Sequence, residues 1–272
     1  MDIQNVSLFQ SFSSLDVYHS NSDKPLPGIV IIPGGSYNKI MERDSERVAI
    51  TFASHAFQAF VVRYPVVEHK DYQAAKSAVA QAFDHIVAHA DELNVDLNRL
   101  GIIGFSAGGQ LAAAYSNIAH TKAKFVGLGY PVIKPTIDDR MGVSTEDVTQ
   151  LVNDNTPATF IWGSFNDQVT PFNDHILPYV QALRSHDVPV ELHEFSTGNH
   201  GLALANKYTG IVNNDRTDEH MSEWFKLFLN WLKTLDYGRL LIFVQANNLR
   251  TYLLNEVVIV LDKEEWWLIC LN

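Results

Sequence analysis

The chain is poor in cysteine, in basic residues and in long apolar runs, and each shortage closes off a class of function. Of 272 residues one is a cysteine, Cys270. No intrachain disulfide can form, and a cysteine-based metal site is excluded. Such sparse thiol usage fits a reducing cytosol. Lysine and arginine number 20 against 31 acidic residues, a formal net charge of -11. Phosphate backbones demand clustered cations, so nucleic acid is not an expected partner. No stretch reaches the roughly 18 consecutive apolar residues of a membrane-spanning helix. The leading MDIQNVSLFQSF carries an acid before any apolar run and lacks a positive segment, unlike a secretory signal. A cytoplasmic globular protein without a membrane span is the expectation, and 46% apolar with 19% charged residues agrees with a folded domain.

What is present is an alternation of short apolar runs and amphipathic stretches. GIVIIPGG (28–35) and FVVRYP (60–65) read as buried strands stopped by proline or glycine. RLGIIGF (99–105), KFVGLGYPVI (124–133), ATFIWGS (158–164) and PVELHEF (189–195) continue the series. Between them lie helical segments at 45–57, 72–93, 107–119 and 175–187, and another follows at 221–235. Asp71 is placed to cap the second of these. Continuous apolar strands separated by helices imply an α/β fold, with a mostly parallel central sheet and helices on both faces. Residues 236–272 break the rhythm: LLIFVQA, VVIVLD and EEWWLICL favour strands without a helical crossover. The expected organisation is an α/β domain at 1–235 and a β-rich C-terminal extension at 236–272. Strand pairing between subunits, giving a homodimer, is one use open to that extension.

GFSAG (104–108) places Ser106 between a strand and a helix in a G-x-S-x-G pattern. The two glycines suit a crowded turn that lifts the hydroxyl clear of the sheet edge. A serine capping the next helix is the competing explanation, and the five-residue pattern arises often by chance. Three further features bear on the choice. PGGSY (33–37) ends the early strand in a turn whose Gly35 or Ser36 N–H, with that of Ala107, could serve an oxyanion. WGSFNDQVTP (162–171) carries Asp167 in the loop after a strand, with Asp174 and Asp187 as rivals. HEFSTGNHGLAL (193–204) carries His200 after another strand, and imidazole is the natural base for a serine hydroxyl. The order Ser106, Asp167, His200 is that of the α/β-hydrolase triad. His85 and His89 lie four apart on a helix but lack an H-E-x-x-H pattern, so no metal and no cofactor is expected.

Over residues 15–235 the chain resembles the α/β-hydrolases. The closer likeness is to the small bacterial esterase and lipase-like group, related to carbohydrate acetyl esterases and hormone-sensitive-lipase-like carboxylesterases. GFSAGG (104–109) matches that group's nucleophile elbow. PGGSY departs from its histidine-glycine turn, with Pro33 at the histidine position and Ser36 at the third glycine. The resemblance implies Ser106 as nucleophile, His200 as base, Asp167 as its orienting acid, and main-chain N–H groups of Gly35 or Ser36 and of Ala107 as oxyanion donors. The implied activity is hydrolysis of a small-molecule carboxylic ester through an acyl-enzyme. A serine peptidase and a non-catalytic binding protein are the alternatives. The connector at 131–157 is short and polar, a small cap suited to short acyl groups such as acetyl esters of sugars. Tyr37, Tyr130, Met141 and Phe165 are candidate pocket walls.

Overall fold

The computed structural model describes residues 2–207, 217–238, 244–246, 249–254, 257–262 and 265–270. It divides into two units, residues 1–224 and 225–272.

The first unit is built on eight strands: β1 (Asp2–Ser7), β2 (Ser14–His19), β3 (Leu26–Ile32), β4 (Gln58–Arg63), β5 (Val95–Phe105), β6 (Val126–Gly129), β7 (Thr159–Ser164) and β8 (Val190–Phe195). They form one sheet in the order β1-β2-β4-β3-β5-β6-β7-β8. The β1/β2 and β2/β4 pairs are antiparallel, and every later pair is parallel. The central stretches of β3 and β4, Ile29–Ile32 and Ala59–Val62, are apolar and buried because both sheet faces are covered. β1 is exposed along almost its whole length. With no buried face it carries no period-two apolar pattern, so the antiparallel start of the sheet was not expected from sequence. β5 begins earlier than the apolar run at 99–105, because its register with β3 is interrupted near Pro27 and Gly28. The polar Asn98 and Arg99 fall in that irregularity and hide its first residues.

Helices α1 (Glu46–Ala53), α2 (Tyr72–Ala88) and α3 (Ala107–Ser116) follow β3, β4 and β5. Asp71 caps α2 by accepting the Ala74 N–H at 2.7 Å. Its buried face repeats every three or four residues: Tyr72, Ala75, Ala78/Val79, Ala82/Phe83 and Ile86. The Phe83 ring stacks on Tyr115 of α3 with centroids 4.3 Å apart. α3 is buried on every side, which explains its run of alanines and glycines. The 131–157 connector holds only short turns, including α4 (Asp138–Met141), and α5 (Ile176–Ser185) packs after β7. A short α6 (Glu219–Ser222) precedes α7 (Trp224–Gly238).

The topology places the site. The chain runs outward from β3 to β4, then crosses back to β5 on the other side of β3, making a switch point between β3 and β5. Ligands of open α/β sheets bind outside the carboxyl ends of strands at such a point. The pairings Ile32↔Gly104, Phe105↔Gly129, Gly129↔Trp162 and Ser164↔Phe195 align those ends in one row.

In the second unit β9 (Val244–Ala246), β10 (Leu249–Leu254), β11 (Val257–Asp262) and β12 (Glu265–Cys270) form an antiparallel meander in the order β12-β11-β10-β9. The β-rich reading of this stretch agrees with its backbone, while residues 239–243 lie outside the described residues.

Candidate active site

Ser106 stands between β5 and α3 with φ 54° and ψ −120°, a conformation that side chains rarely adopt. Packing enforces it. A Cβ at Gly104 would come within 2.3 Å of the Gly108 carbonyl oxygen, and one at Gly108 within 2.1 Å of the Ile32 carbonyl oxygen. Only glycine at both positions lets the elbow sit against the end of β3. The Ser106 side chain makes no capping bond to α3. Its Oγ instead lies 2.8 Å from Nε2 of His200.

His200 Nδ1 is 2.8 Å from Oδ2 of Asp167. Asp167 is 3% exposed, and its Oδ1 accepts the N–H groups of Val169 (2.8 Å) and Thr170 (2.9 Å). Burial opposes ionisation of this carboxyl. The hydrogen bond and charge of His200, with the two backbone N–H groups, outweigh burial and hold it below the usual carboxylate range. The Thr170 hydroxyl lies 3.1 Å from Asp167 Oδ2 and 3.1 Å from the Tyr130 carbonyl oxygen. The carboxylate that meets His200 is Asp167; among the described residues neither rival acid, Asp174 nor Asp187, hydrogen-bonds to it.

The histidine loop is held from three sides. Ser164 Oγ donates to the Gly198 carbonyl at 2.9 Å, and the Ala203 N–H donates to the Tyr130 hydroxyl at 2.8 Å. Trp224 Nε1 donates to the Ala203 carbonyl at 2.9 Å while its ring stacks on Trp162 at 4.1 Å. Neither Thr170 nor Trp224 stands out in the sequence, since each also donates to a main-chain carbonyl far along the chain, Thr170 to Tyr130 and Trp224 to Ala203.

The turn after β3 faces Ser106. A Cβ on Gly34 would lie 3.1 Å from Ser106 Cβ, a direct measure of that closeness. The polar groups along the turn are consumed in order. The Pro33 carbonyl accepts from Tyr64 Oη (2.8 Å), the Gly34 N–H donates to Asp44 Oδ2 (3.1 Å), and the Gly34 carbonyl accepts from Met41 N–H (3.1 Å). The Gly35 carbonyl accepts from Asn38 N–H at 3.0 Å. Among the described residues none accepts the N–H of Gly35, Ser36 or Ala107.

Asp44 is a fully buried carboxyl, raised by burial from the ordinary 3.8 to about 6, with Arg43, the Gly34 N–H and His200 opposing the rise. Well below pH 4 both folded and unfolded chains hold this proton. As pH climbs from about 4 to about 6 the unfolded chain releases it first, so the fold loses stability, by something on the order of 3 kcal/mol once titration is complete. Asp44→Asn removes the titration. The variant's Tm minus that of the parent is therefore expected to become more positive between pH 4.5 and 7.5, as read by calorimetry.

The candidate wall residues separate. Tyr130 lies edge-on to His200 with centroids 5.0 Å apart. Tyr37 is fully buried, its hydroxyl donating to Gln110 Oε1 at 3.1 Å. Met141 is buried in the connector, its carbonyl accepting from Lys70 Nζ at 2.8 Å. Phe165 is 72% exposed just beyond β7, two residues before Asp167. Gln110 Nε2 donates to Thr145 Oγ1 at 2.9 Å, and Lys76 pairs with Glu146 at 2.6 Å, so the connector is fastened down over α2 and α3. His85 and His89 stack at 4.2 Å across the C-terminal end of α2. Among the described residues no group of three or more His, Cys, Asp or Glu is arranged to hold a metal, and no helix is long and apolar enough to cross a membrane.

A serine on a strained strand-to-helix elbow, a histidine within hydrogen-bond reach and a buried acid behind it define a serine-hydrolase site. Comparison with known proteins agrees. The BD-FAE family model matches residues 15–128. A crystal structure of MGS-M1, an alpha/beta hydrolase enzyme from a Medee basin deep-sea metagenome library, superposes with TM-score 0.80 at 29% identity, covering 87% of this chain and 98% of that one. A Lactobacillus plantarum structure is 30% identical with TM-score 0.72, over 86% of this chain and 98% of its own. The chain belongs to the α/β-hydrolase superfamily, among its esterase and lipase-like members. Two curated relatives are the endo-1,4-beta-xylanase B of Butyrivibrio fibrisolvens, 28% identical over 78% of this chain, and an acetylxylan esterase of Xylanibacter ruminicola, 24% identical over 73%. The chain spans 36% and 45% of their lengths.

Proposed function

We propose that the protein hydrolyses short-chain carboxylic esters, acetyl esters of sugars foremost, through an acyl-enzyme on Ser106. The observation that carries this reading is the Ser106–His200–Asp167 relay beside N–H groups that no described residue accepts. His200 Nε2 takes the Ser106 proton as Oγ attacks the ester carbonyl, and the oxygen becomes an oxyanion. The N–H groups of Gly35 or Ser36 and of Ala107 donate to it. On collapse the carbon–alkoxy bond breaks and His200 passes its proton to the leaving alcohol. Water then attacks the acyl-enzyme, giving its proton to His200 and releasing the acid as Oγ is reprotonated. Asp167 stays ionised and holds the imidazole tautomer with the proton on Nδ1.

The fastened connector favours small acyl groups, since it offers no long amphipathic helix to swing away. In this reading Tyr130, edge-on to His200, and Phe165, exposed two residues before Asp167, meet the alcohol portion, and Tyr37 and Met141 are assigned to the acyl side. The names of the two curated relatives point to acetylated xylan as the first sugar ester to try. A cytoplasmic site of action, an uncharged small substrate rather than nucleic acid, and a homodimer belong to the same reading. So does a catalytic domain at 1–235 with the tail as an appendage.

Turnover of p-nitrophenyl acetate, butyrate and octanoate tests the acyl preference. Rates are expected to fall by about tenfold or more from acetate to octanoate, the size of discrimination one pocket supplies for added methylenes. Equal rates across the series would remove the short-chain reading. An amide substrate turned over faster than the acetate would favour a peptidase.

A further inference from the structure

The turn after β3 is held by a carboxylate outside the relay. Asp44 lies in a single helical turn at Glu42–Asp44, is 1% exposed, and spends Oδ2 on the Gly34 N–H at 3.1 Å. Oδ2 is also 2.9 Å from where a Gly34 Cβ would project, so the carboxylate is seated directly behind the residue that abuts Ser106. The other oxygen, Oδ1, faces Arg43 Nε at 3.5 Å, and neither atom has a hydrogen-bond partner. Arg43 reaches the other half of the site. Its Nη2 lies 2.6 Å from where a Cβ of Gly201 would project, beside His200, and Gly201 has φ +76°.

A buried carboxylate without full hydrogen bonding is costly, and apolar residues of similar size would fill the space at least as well. What an apolar residue could not do is accept the Gly34 N–H. That bond fixes the Gly34 peptide plane, while the Gly34 carbonyl is fixed by Met41. With both ends of the residue pinned, the following N–H groups have one direction left.

We propose that Asp44 is a positioning residue, holding the Gly34 peptide so that the Gly35 and Ser36 N–H groups meet the oxyanion, with Arg43 as its counter-charge and as the seat of the His200 loop. This rests on the reading of Ser106 as the nucleophile. Asp44 touches neither substrate nor Ser106 Oγ. Its effect travels through one main-chain hydrogen bond, so an amide oxygen serves in place of the carboxylate.

The test is steady-state hydrolysis of p-nitrophenyl acetate by Asp44→Ala and Asp44→Asn, with melting curves for both. Losing aim at one oxyanion donor costs about 10² to 10³ in kcat. Asp44→Ala is expected to lose about 100-fold in kcat with KM within about 3-fold, because ground-state binding is untouched. Asp44→Asn is expected to stay within about 5-fold of the parent, since its side-chain oxygen still accepts. A folded Asp44→Ala with parental kcat overturns the proposal, and so does an Asp44→Asn as slow as Asp44→Ala. Should the alanine variant not fold, Asp44→Leu fills the space without an acceptor and is held to the same 100-fold expectation. A parent inert toward the ester, with Ser106 unlabelled by a serine-directed phosphonate, would sink the esterase reading itself rather than this refinement of it.

Discussion

Ser106→Ala is expected to lower kcat for p-nitrophenyl acetate by about 10⁶, leaving only the residual rate that oriented donors and binding provide. The size follows from the geometry. The hydroxyl makes its side-chain contact at 2.8 Å with the base and none with the helix it precedes, so the substitution removes the nucleophile and disturbs little else. Alanine tolerates the positive φ of the elbow no worse than serine, and the melting temperature should hardly move. Mass spectrometry after exposure to a fluorophosphonate gives the companion readout. The parent gains one adduct, mapped to Ser106, and the variant gains none. Retained hydrolysis in the folded variant would mean that another group attacks the ester.

Asp167→Asn should cost about 10⁴ in kcat while leaving the fold intact. Here the backbone decides which way the amide turns. Val169 and Thr170 donate two N–H groups to Oδ1, so the amide oxygen must occupy that position. The NH₂ then points at His200 Nδ1, where Oδ2 had accepted. Facing a donor, the imidazole carries its proton on Nε2 instead and can no longer accept from Ser106. Proton-coupled nitrogen spectra of labelled histidine report the tautomer directly. A variant whose Nδ1 remains protonated, or whose kcat drops less than about tenfold, would show that Asp167 does not set the tautomer.

The triad was legible in the sequence because each member follows its own strand and stands near a glycine. Gly104 and Gly108 frame Ser106, Gly198 and Gly201 frame His200, and the WGS strand end precedes Asp167. Sequence distance does not conceal such a pattern, although Ser106 and His200 are 94 residues apart. The alternation of strands and helices was legible for the same reason, since each is set by local periodicity. What escaped reading is what acts across elements. Asp44 and Thr170 look like ordinary polar residues in short turns, and their significance lies in N–H and carbonyl groups that only the folded sheet brings near. The pocket walls are not legible from residue type for a related reason. A tyrosine read as a pocket lining is equally suited to a buried hydrogen bond, as Tyr37 to Gln110 demonstrates. The exposed β1 has no apolar face to reveal it, and the start of β5 is masked by its irregular pairing.

The crossing between β3 and β5 has a kinetic consequence. The turn at 33–36 and the elbow at 104–108 belong to neighbouring parallel strands joined through β4 and two helices, and the acid and base come from strands still later in the chain. No fragment of the sheet contains a working site. Closing such long loops before any contact rewards them makes parallel pairing slow. Catalytic competence therefore arrives last during refolding, behind the recovery of helical content, and ester turnover becomes a clock for completion of the sheet.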